Sequence, residues 1–329
     1  MRIKILNAGL LATVQDLGRP DFLSQGVPLA GAMDSHAAKL ANIAIGNALN
    51  DAIIEFTYGN ASFSCETDLL LAYAGNGAKL VASDKQLPVQ RAIFVPAGTI
   101  IKLINNDPGA RTYLAIAGGI TVPKILGSRS TYIPADFGGM HGRALKKDDL
   151  IDANGSLSET SAYLLISLYG EQIKYPSWGI SKALIPPAEK GLIRIFKGRE
   201  TNWFIEESLQ KLLSEPFSVS LQSNRMGIHL KGPLMQRNRQ QELLSTAVTA
   251  GTLQVTGSGE IILLMADCQT TGGYPRIAQV ASVDLRHCAQ LKPNDKIHFK
   301  IIDFEEAEQL YLEQEQNISK LALAIKVKI

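Results

Sequence analysis

Residues 260–286 read E-I-I-L-L-M-A-D-C-Q-T-T-G-G-Y-P-R-I-A-Q-V-A-S-V-D-L-R, and they place an apolar segment directly before a polar one. The apolar run Ile261 to Met265 is short enough to be a buried strand. Residues 268–275, which we call the TTGG loop, follow it and contain a glycine pair that permits positive φ and close backbone approach. A polar loop at the end of a rigid strand can present N–H groups and hydroxyls to an anion or a carbonyl. An ordinary strand-to-strand turn is the alternative for the same residues.

The composition is that of a soluble globular protein. Of 329 residues, 46% are hydrophobic and 19% are charged, and the net charge of +2 is too small to indicate binding to nucleic acid or to a membrane surface. Three cysteines occur without C-x-x-C or Cys/His zinc spacing, so we predict neither a disulfide framework nor a structural metal site. No run approaches the roughly 20 apolar residues of a membrane helix. We therefore expect a protein of the reducing cytoplasm.

Short apolar runs separated by Gly, Pro, Asn and Asp turns fill residues 53–117. This spacing is typical of a closed or nearly closed β-barrel rather than of βαβ units. The predicted strands are Ile53 to Tyr58, Ala61 to Cys65, Leu69 to Ala74, Ala78 to Ala82, Arg91 to Val95, Thr99 to Ile104 and Arg111 to Ala117. A proline-led turn feeds a strand at Pro96 and again at Pro293, so a tandem β architecture is plausible. We predict a mainly β protein with a few helices.

The polar, proline-containing residues 152–192 predict a domain boundary near residue 190, which gives domains of residues 1–190 and 191–329. Three helices are predicted from cap and stop signals. They run from Asp34-Ser35 to about Ile45, from a cap near Thr201-Asn202 to a stop before Pro216, and from Glu305 to about Ala324.

Two further loops are rich in glycine or polar residues. In residues 9–34, a short predicted strand from Leu10 to Val14 is followed by a long loop whose apolar content argues against disorder, and loops of this length tend to be functional. Residues 137–143 read F-G-G-M-H-G-R, with Asp136 directly before them and Arg143 at their end. Neither the Walker A pattern nor G-x-G-x-x-G occurs in the sequence. Nucleotide binding by either common loop is therefore not expected.

Three long motifs carry a resemblance to a known family. They are G-L-L-A-T-V-Q-D-L-G-R-P with G-V-P-L-A-G-A-M-D in residues 9–34, G-S-R-S-T-Y with F-G-G-M-H-G-R-A-L-K in residues 127–146, and S-N-R-M-G-I-H-L-K-G-P with A-D-C-Q-T-T-G-G-Y-P in residues 223–275. Through them nearly the whole chain resembles the biotin-dependent carboxyltransferase/allophanate hydrolase subunit 2 family, in particular its stand-alone, KipA-like bacterial members. The resemblance implies tandem cyclophilin-like β-barrel domains. The family usually has Arg or His where this chain has Cys268.

The resemblance also implies a function, namely that of one component of an ATP-dependent 5-oxoprolinase, which opens 5-oxo-L-proline to L-glutamate. It implies two 5-oxoprolinase partners, one KipI-like and one LamB/YcsF-like, and ATP shared with them and accompanied by Mg²⁺. Two alternatives remain open. One is a non-catalytic protein that sequesters a KipI-like partner, and the other is the carboxyltransferase component of a urea carboxylase-like enzyme. The chain has no M-K-M motif, so no biotin is expected on it.

Opening a lactam with ATP needs cations and N–H donors for the phosphoryl group, and a carboxylate that holds a metal ion or orients a nucleophile. We predict catalytic roles for Asp267 and Arg225. The predicted contacts to substrate or phosphate are Gln269, Thr270, Thr271, Gly272, Gly273, Tyr274 and Arg276, with a second cluster of Gln15, Asp16 and Arg19. Structural alternatives exist, because Asp16 can cap a turn, Arg225 can pair with a structural carboxylate and Asp267 can fix a strand end.

Overall fold

The computed structural model describes residues 1–153, 156–181, 191–238 and 241–328, and it divides the chain into two compact units. Unit 1 comprises Met1–Gly18, Ala30–Pro186 and Gln316–Ile329, and unit 2 comprises Arg19–Leu29 and Pro187–Glu315. Two segments thus belong to a different unit from the one that a single boundary near residue 190 would give them. They are the short segment that begins at Arg19 and the end of the C-terminal helix.

Unit 1 is built on two antiparallel sheets. Its strands are β1 (Arg2–Asn7), β2 (Leu11–Gln15), β3 (Ile53–Thr57), β4 (Ala61–Cys65), β5 (Leu69–Gly75), β6 (Ala78–Ala82), β7 (Lys85–Gln86), β8 (Ile93–Val95), β9 (Ile100–Asn105), β10 (Arg111–Ile116) and β11 (Leu150–Asp152). One sheet has the order β11-β1-β4-β9-β6-β7, and the other has the order β2-β3-β10-β5-β8. The helices α1 (Ser35–Ala44) and α2 (Glu159–Leu168) belong to the same unit.

The five-stranded sheet of unit 1 is buried on both faces. Leu114 and Ile116 of β10 belong to an apolar cluster formed by residues of both sheets. Tyr113 and Ala115 belong to a second cluster, which includes residues of α1, α2 and the end of the C-terminal helix. Because both faces are covered, β5 and β10 read as continuous buried runs rather than as alternating ones.

Helix α1 begins where its sequence predicts. The Asp34 carboxylate accepts a hydrogen bond from the Ala37 N–H at 2.9 Å, and the Asp34 N–H donates to the Tyr113 hydroxyl at 2.8 Å. At the other end Gly46 has φ +76°, and a Cβ there would lie 2.4 Å from Cγ2 of Thr160. The helix therefore stops at a position that only glycine fills without strain.

Unit 2 is a closed barrel with additional helices. Its strands are β12 (Leu192–Lys197), β13 (Phe217–Val219), β14 (Gly227–Lys231), β15 (Thr246–Ala247), β16 (Thr252–Val255), β17 (Ile261–Leu264), β18 (Thr271–Gly272), β19 (Arg276–Val280) and β20 (Lys296–Ile301). The barrel has the order β12-β19-β16-β17-β14-β13-β20, and β12 and β20 pair in parallel to close it. Strands β15 and β18 form a separate two-stranded sheet. Its helices are α3 (Glu206–Ser214) and α4 (Leu285–Ala289), and α5 (Phe304–Val327) begins in unit 2 and ends in unit 1.

The predicted mainly β fold with a few helices is confirmed, and unit 2 supplies the closed barrel. In unit 1 the predicted strands divide between two sheets. Among the described helices, none has the length and apolar character that a bilayer crossing requires.

The predicted start of the second helix, near Thr201, is wrong. Residues Thr201–Trp203 form a 3-10 turn, and α3 begins at Glu206. The Thr201 hydroxyl lies 2.7 Å from the carbonyl oxygens of Gly198 and Ile277, so it ties the turn to β19 instead of capping a helix. The sequence reasoning also missed α2, whose N-cap is Ser158.

Candidate functional site

The TTGG loop of unit 2 is fixed to its neighbours through backbone hydrogen bonds. Strand β18 lies inside the loop and pairs with β15. The Val248 N–H donates to the Thr270 carbonyl at 3.0 Å, and the Val255 N–H donates to the Pro275 carbonyl at 3.0 Å. The side-chain amide of Gln254 donates to the Tyr274 carbonyl at 3.2 Å. The loop therefore has a defined backbone conformation along its length.

Within this fixed backbone the loop presents neutral hydrogen-bonding groups to solvent. The side chains of Gln269, Thr271 and Tyr274 are exposed, and in the part of the chain that the structure describes none of them has a hydrogen-bond partner. The N–H groups of three exposed residues, Gln269, Gly273 and Tyr274, also have no partner among the described residues. Such groups can receive a carbonyl or carboxylate oxygen of a small molecule.

Asp267 and Arg225 lie together in a buried ion pair of unit 2. Arg225 Nε donates to Asp267 Oδ2 at 2.8 Å, and Arg225 Nη2 donates to Oδ1 at 2.9 Å. The two side chains are only 4% and 7% exposed, for Asp267 and Arg225 respectively. The Asp267 N–H also donates to the Arg225 carbonyl at 2.9 Å. Both carboxylate oxygens are thus engaged by one guanidinium, in the planar two-bond geometry that suits arginine.

Arg276 has a different carboxylate partner, Glu200. Arg276 Nε and Nη2 donate to the two Glu200 oxygens at 2.7 and 2.6 Å, and Nη1 donates to the Ala247 carbonyl at 2.9 Å. Burial alone would raise the pKa of Glu200, but the hydrogen bonds and the positive charge of Arg276 together lower that pKa. Arg276 therefore fastens β19 to β15 and to the turn that follows β12. Sequence reasoning missed Glu200, because nothing in its local sequence indicates a partner 76 residues away.

The second predicted cluster divides between the units. Asp16 of unit 1 is buried, and its carboxylate accepts hydrogen bonds from the Gly18 N–H, the Arg129 N–H and two serine hydroxyls, at 2.6–2.8 Å. This is the geometry of a turn-capping carboxylate. Gln15, also in unit 1, donates to Thr131 and Thr13, and its buried Oε1 has no partner among the described residues.

Arg19 belongs to the segment of unit 2 that ends at Leu29. Its side chain is buried, and its N–H donates to the Leu29 carbonyl at 3.0 Å. The structure thus brings Arg225 and Asp267 together and directs Arg276 to Glu200. The catalytic and binding roles of these residues stay predictions.

Cys268 directly follows Asp267 in the sequence, and its side chain is buried against Val248 and Leu264. Burial, and next the charge of Asp267, raise the pKa of the Cys268 thiol to about 11. Burial likewise raises the pKa of Cys65, to about 12, and that of Cys288 well above its usual value. The thiols are therefore protonated at neutral pH and shielded from solvent.

We accordingly expect the native chain to be inert to 5,5′-dithiobis(2-nitrobenzoic acid) at pH 8. All three cysteines are buried and unpaired by disulfides, so they should react only after unfolding in guanidinium chloride. Release of thionitrobenzoate, followed by absorbance with and without denaturant, measures this. Rapid reaction of any thiol in the native protein would contradict the expectation that all three are buried.

The described residues contain no cluster of metal ligands, and the cations beside the TTGG loop are engaged in ion pairs. No group of three or more of their His, Cys, Asp or Glu side chains is placed to hold a metal ion. Arg225 and Arg276, two of the three arginines predicted for the site, each pair their guanidinium group with a carboxylate. The exposed donors of the TTGG loop are neutral. These residues do not fit a nucleoside triphosphate, which requires cations around its phosphates.

Comparison with known proteins gives the chain a family. A family model described as "Carboxyltransferase domain, subdomain A and B" matches residues 25–301. The chain is 35% identical over 320 residues to the C subunit of 5-oxoprolinase from Escherichia coli (strain K12), covering 97% of each chain. It is 32% identical over 322 residues to the C subunit of 5-oxoprolinase from Haemophilus influenzae, covering 96% of this chain and 98% of the other.

Among solved structures, the crystal structure of the K. lactis urea amidolyase superposes with a TM-score of 0.87 at 28% identity. The superposition covers 97% of this chain and 20% of that one, so the chain spans a fifth of the length of that structure. The match of the family model over most of the sequence, together with full-length relatives above 30% identity, shows that this chain belongs to the carboxyltransferase domain family, subdomains A and B.

Proposed function

We propose that the chain is the C subunit of an ATP-dependent 5-oxoprolinase, and that it opens 5-oxo-L-proline to L-glutamate together with two partner proteins. The observation that carries this proposal is the end-to-end similarity to the C subunit of the E. coli 5-oxoprolinase, at 97% coverage of both chains. That relative is matched over nearly its whole length. The urea amidolyase structure, in contrast, contains the matched region as one part of a much longer chain.

The TTGG loop is the part of the chain that fits this substrate best. A 5-oxo-L-proline molecule offers a lactam carbonyl and a carboxylate as acceptors, and a lactam N–H as a donor. The loop supplies the Thr271 hydroxyl and the N–H groups of three exposed residues, Gln269, Gly273 and Tyr274, which have no partner among the described residues. Donors held in fixed positions around a carbonyl oxygen stabilise the negative charge that develops there when the carbonyl is attacked. We assign the TTGG loop to binding and orienting the lactam.

Two ion pairs of unit 2, one buried and one partly buried, would keep this loop in place. The Arg225–Asp267 pair lies at its start and the Arg276–Glu200 pair at its end. An orienting loop needs such support, because a displacement of about 1 Å can cost a hundredfold in rate. Asp267 and Arg225 are proposed to act on the reaction through the position of the loop. The prediction that they act on the reacting atoms themselves remains for experiment.

ATP is proposed to bind to the partners, because the described residues of this chain do not offer free cations at the loop. We assign the nucleotide and its Mg²⁺ to the assembly with the KipI-like partner and the LamB/YcsF-like partner. No step of the reaction is assigned to the nucleotide on this chain. The assembly is proposed to work in the cytoplasm.

The proposal is tested by reconstitution. The purified chain alone is expected to release no glutamate from 5-oxo-L-proline with ATP and Mg²⁺. Glutamate should appear only when the KipI-like and LamB/YcsF-like partners are added, and it is measured by a coupled glutamate dehydrogenase assay. Robust turnover by the single chain, or none by the mixture of all three folded proteins, would refute the proposed role.

A second candidate is the carboxyltransferase component of a urea carboxylase-like enzyme, which the TM-score of 0.87 to a urea amidolyase favours. Turnover by a biotin-dependent enzyme stops when avidin binds its biotin, whereas the proposed 5-oxoprolinase should be insensitive to avidin. A third candidate is a protein that only sequesters a KipI-like partner. This candidate predicts a stable complex of the chain with the KipI-like partner. It also predicts that 5-oxo-L-proline and ATP are not consumed when the LamB/YcsF-like protein is added to that complex.

A further inference from the structure

A separate cavity of about 440 Å³ lies in unit 1, beside the glycine-rich loop F-G-G-M-H-G-R (residues 137–143). One wall is apolar and includes Val122, Ile125 and Ile151. Asp136, directly before the glycine-rich loop, and His141, within it, also line the cavity. The volume is in the range of cavities that bind small organic molecules, and it is far larger than the site of a single metal ion.

The glycine-rich loop that borders the cavity is held in an unusual conformation. Positive φ angles occur at Asp136 (+50°), Gly138 (+74°), Gly139 (+50°), His141 (+58°) and Gly142 (+73°). Non-glycine residues rarely adopt this region, and they persist there only where the surroundings impose it. Residues held in this way cluster at sites that bind ligands.

Close packing and hydrogen bonds impose that conformation. The Gly142 N–H donates to the Gly138 carbonyl at 2.7 Å, and the Gly139 N–H donates to the Arg129 carbonyl at 3.0 Å. A Cβ at Gly142 would lie 2.0 Å from the carbonyl carbon of Asp136. After the loop, Arg143 forms two hydrogen bonds with Asp149, at 2.7 and 2.8 Å. The wall of the cavity is therefore preformed.

The charge of the cavity is negative. Its two lining carboxylates are Asp136 and Asp152, and no Lys or Arg is found among its described lining residues. Arg2 neutralises Asp152 through hydrogen bonds of 2.7 and 3.1 Å. The Asp136 carboxylate is exposed and has no ion-pair or hydrogen-bond partner in the described parts of the chain, and the His141 ring has none either. One uncompensated carboxylate thus stands beside an apolar wall.

We propose that this cavity binds a compact organic cation, a protonated amine with a short apolar body. The ammonium group pairs with Asp136 and can also donate to His141, while the apolar body contacts the wall formed by Val122 and Ile151. A cation on a carboxylate at the edge of an apolar cavity gains both charge pairing and burial. This site lies in unit 1, and its occupation does not depend on the proposed 5-oxoprolinase role of the TTGG loop.

Benzylammonium and benzoate are a matched pair of probes, since they share one ring and differ in charge. Each is titrated into the ¹⁵N-labelled full-length chain, and the amide signals of Gly138, Gly139 and Gly142 are followed by NMR. We expect saturable shifts at these glycines with benzylammonium, with a Kd on the order of 1 mM for so small a ligand. Benzoate should bind at least about tenfold more weakly, because its charge is repelled.

The variant Asp136→Asn should raise the Kd of benzylammonium by at least about tenfold, the loss expected for a charge-assisted hydrogen bond. Asparagine tolerates positive φ, so the loop should keep its conformation. Asp84→Asn is the control, because Asp84 is also exposed with φ +62° but does not line the cavity. Absence of binding by benzylammonium, equal binding of benzoate, or an unchanged Kd in Asp136→Asn would each overturn the proposal.

Discussion

Replacing Asp267 with alanine is expected to lower the free energy of unfolding of unit 2 by about 3–5 kcal/mol, the cost of removing one partner from a buried ion pair. The expectation follows from the burial of both side chains and from the two hydrogen bonds of Arg225 that end on this carboxylate. Alanine would leave the guanidinium charge in a poorly solvated place without its counter-ion. A loss of this size is large compared with the roughly 5–15 kcal/mol that typically stabilises a folded domain.

The two tryptophans of the chain allow each unit to be followed by itself. Trp203 lies in unit 2 and Trp178 in unit 1, so a Trp178→Phe background leaves one fluorescent reporter of unit 2 during urea unfolding. Asp152→Ala, measured in a Trp203→Phe background, is the control. Its pair with Arg2 has the same two-bond geometry, but both side chains are 49% exposed, and exposed pairs contribute little. Equal destabilisation by Asp267→Ala and Asp152→Ala would contradict the expectation.

A double variant separates the ion pair from its surroundings. Arg225→Met with Asp267→Leu replaces both charges with apolar groups, which often restores the stability lost on breaking a buried pair. We expect the double variant to recover most of the loss of Asp267→Ala. If instead the stability losses of Arg225→Met alone and of Asp267→Leu alone add in the double variant, the residues do not act as a pair.

Much of the fold could be predicted because strands leave a local signal. The runs Ala61–Cys65 and Ala78–Ala82 have the observed bounds of β4 and β6, since turn residues border each of them. Helix α1 was found through Asp34, which hydrogen-bonds within its own helix. Helix α2 was missed because its sequence carries no clear apolar stripe, although Ser158 accepts from the Ser161 N–H at 3.0 Å and is a readable cap.

The partners of the candidate site residues could not be predicted in the same way. Arg225 and Asp267 are 42 residues apart, and the antiparallel pairing of β14 with β17 places their segments side by side. Arg276 could equally have been expected near Asp267, but the barrel directs it to Glu200. Such pairings depend on strand register, and no local pattern fixes them. The polar, glycine-containing character of the TTGG loop, in contrast, was visible in the sequence itself.

Removing the exposed donors of the TTGG loop is expected to have a large effect on turnover. Gln269→Ala and Thr271→Val each delete a side-chain group that has no partner in the described parts of the chain, so neither change should disturb folding. If these groups orient the lactam, each substitution should lower turnover at least about tenfold, and the double variant about a hundredfold, the scale for a lost donor to a developing oxyanion. Gln86→Ala, on exposed strand β7 of unit 1, is the matched control and should be silent.

The most direct measurement is glutamate release by the KipI-like and LamB/YcsF-like partners assembled with the Gln269→Ala/Thr271→Val variant, with the melting temperature and complex formation recorded in parallel. The proposed function predicts a stable variant that still joins the complex, with turnover reduced about a hundredfold, while Gln86→Ala matches the unsubstituted chain. Turnover that survives in the assembled double variant would contradict the assignment of the lactam to the TTGG loop.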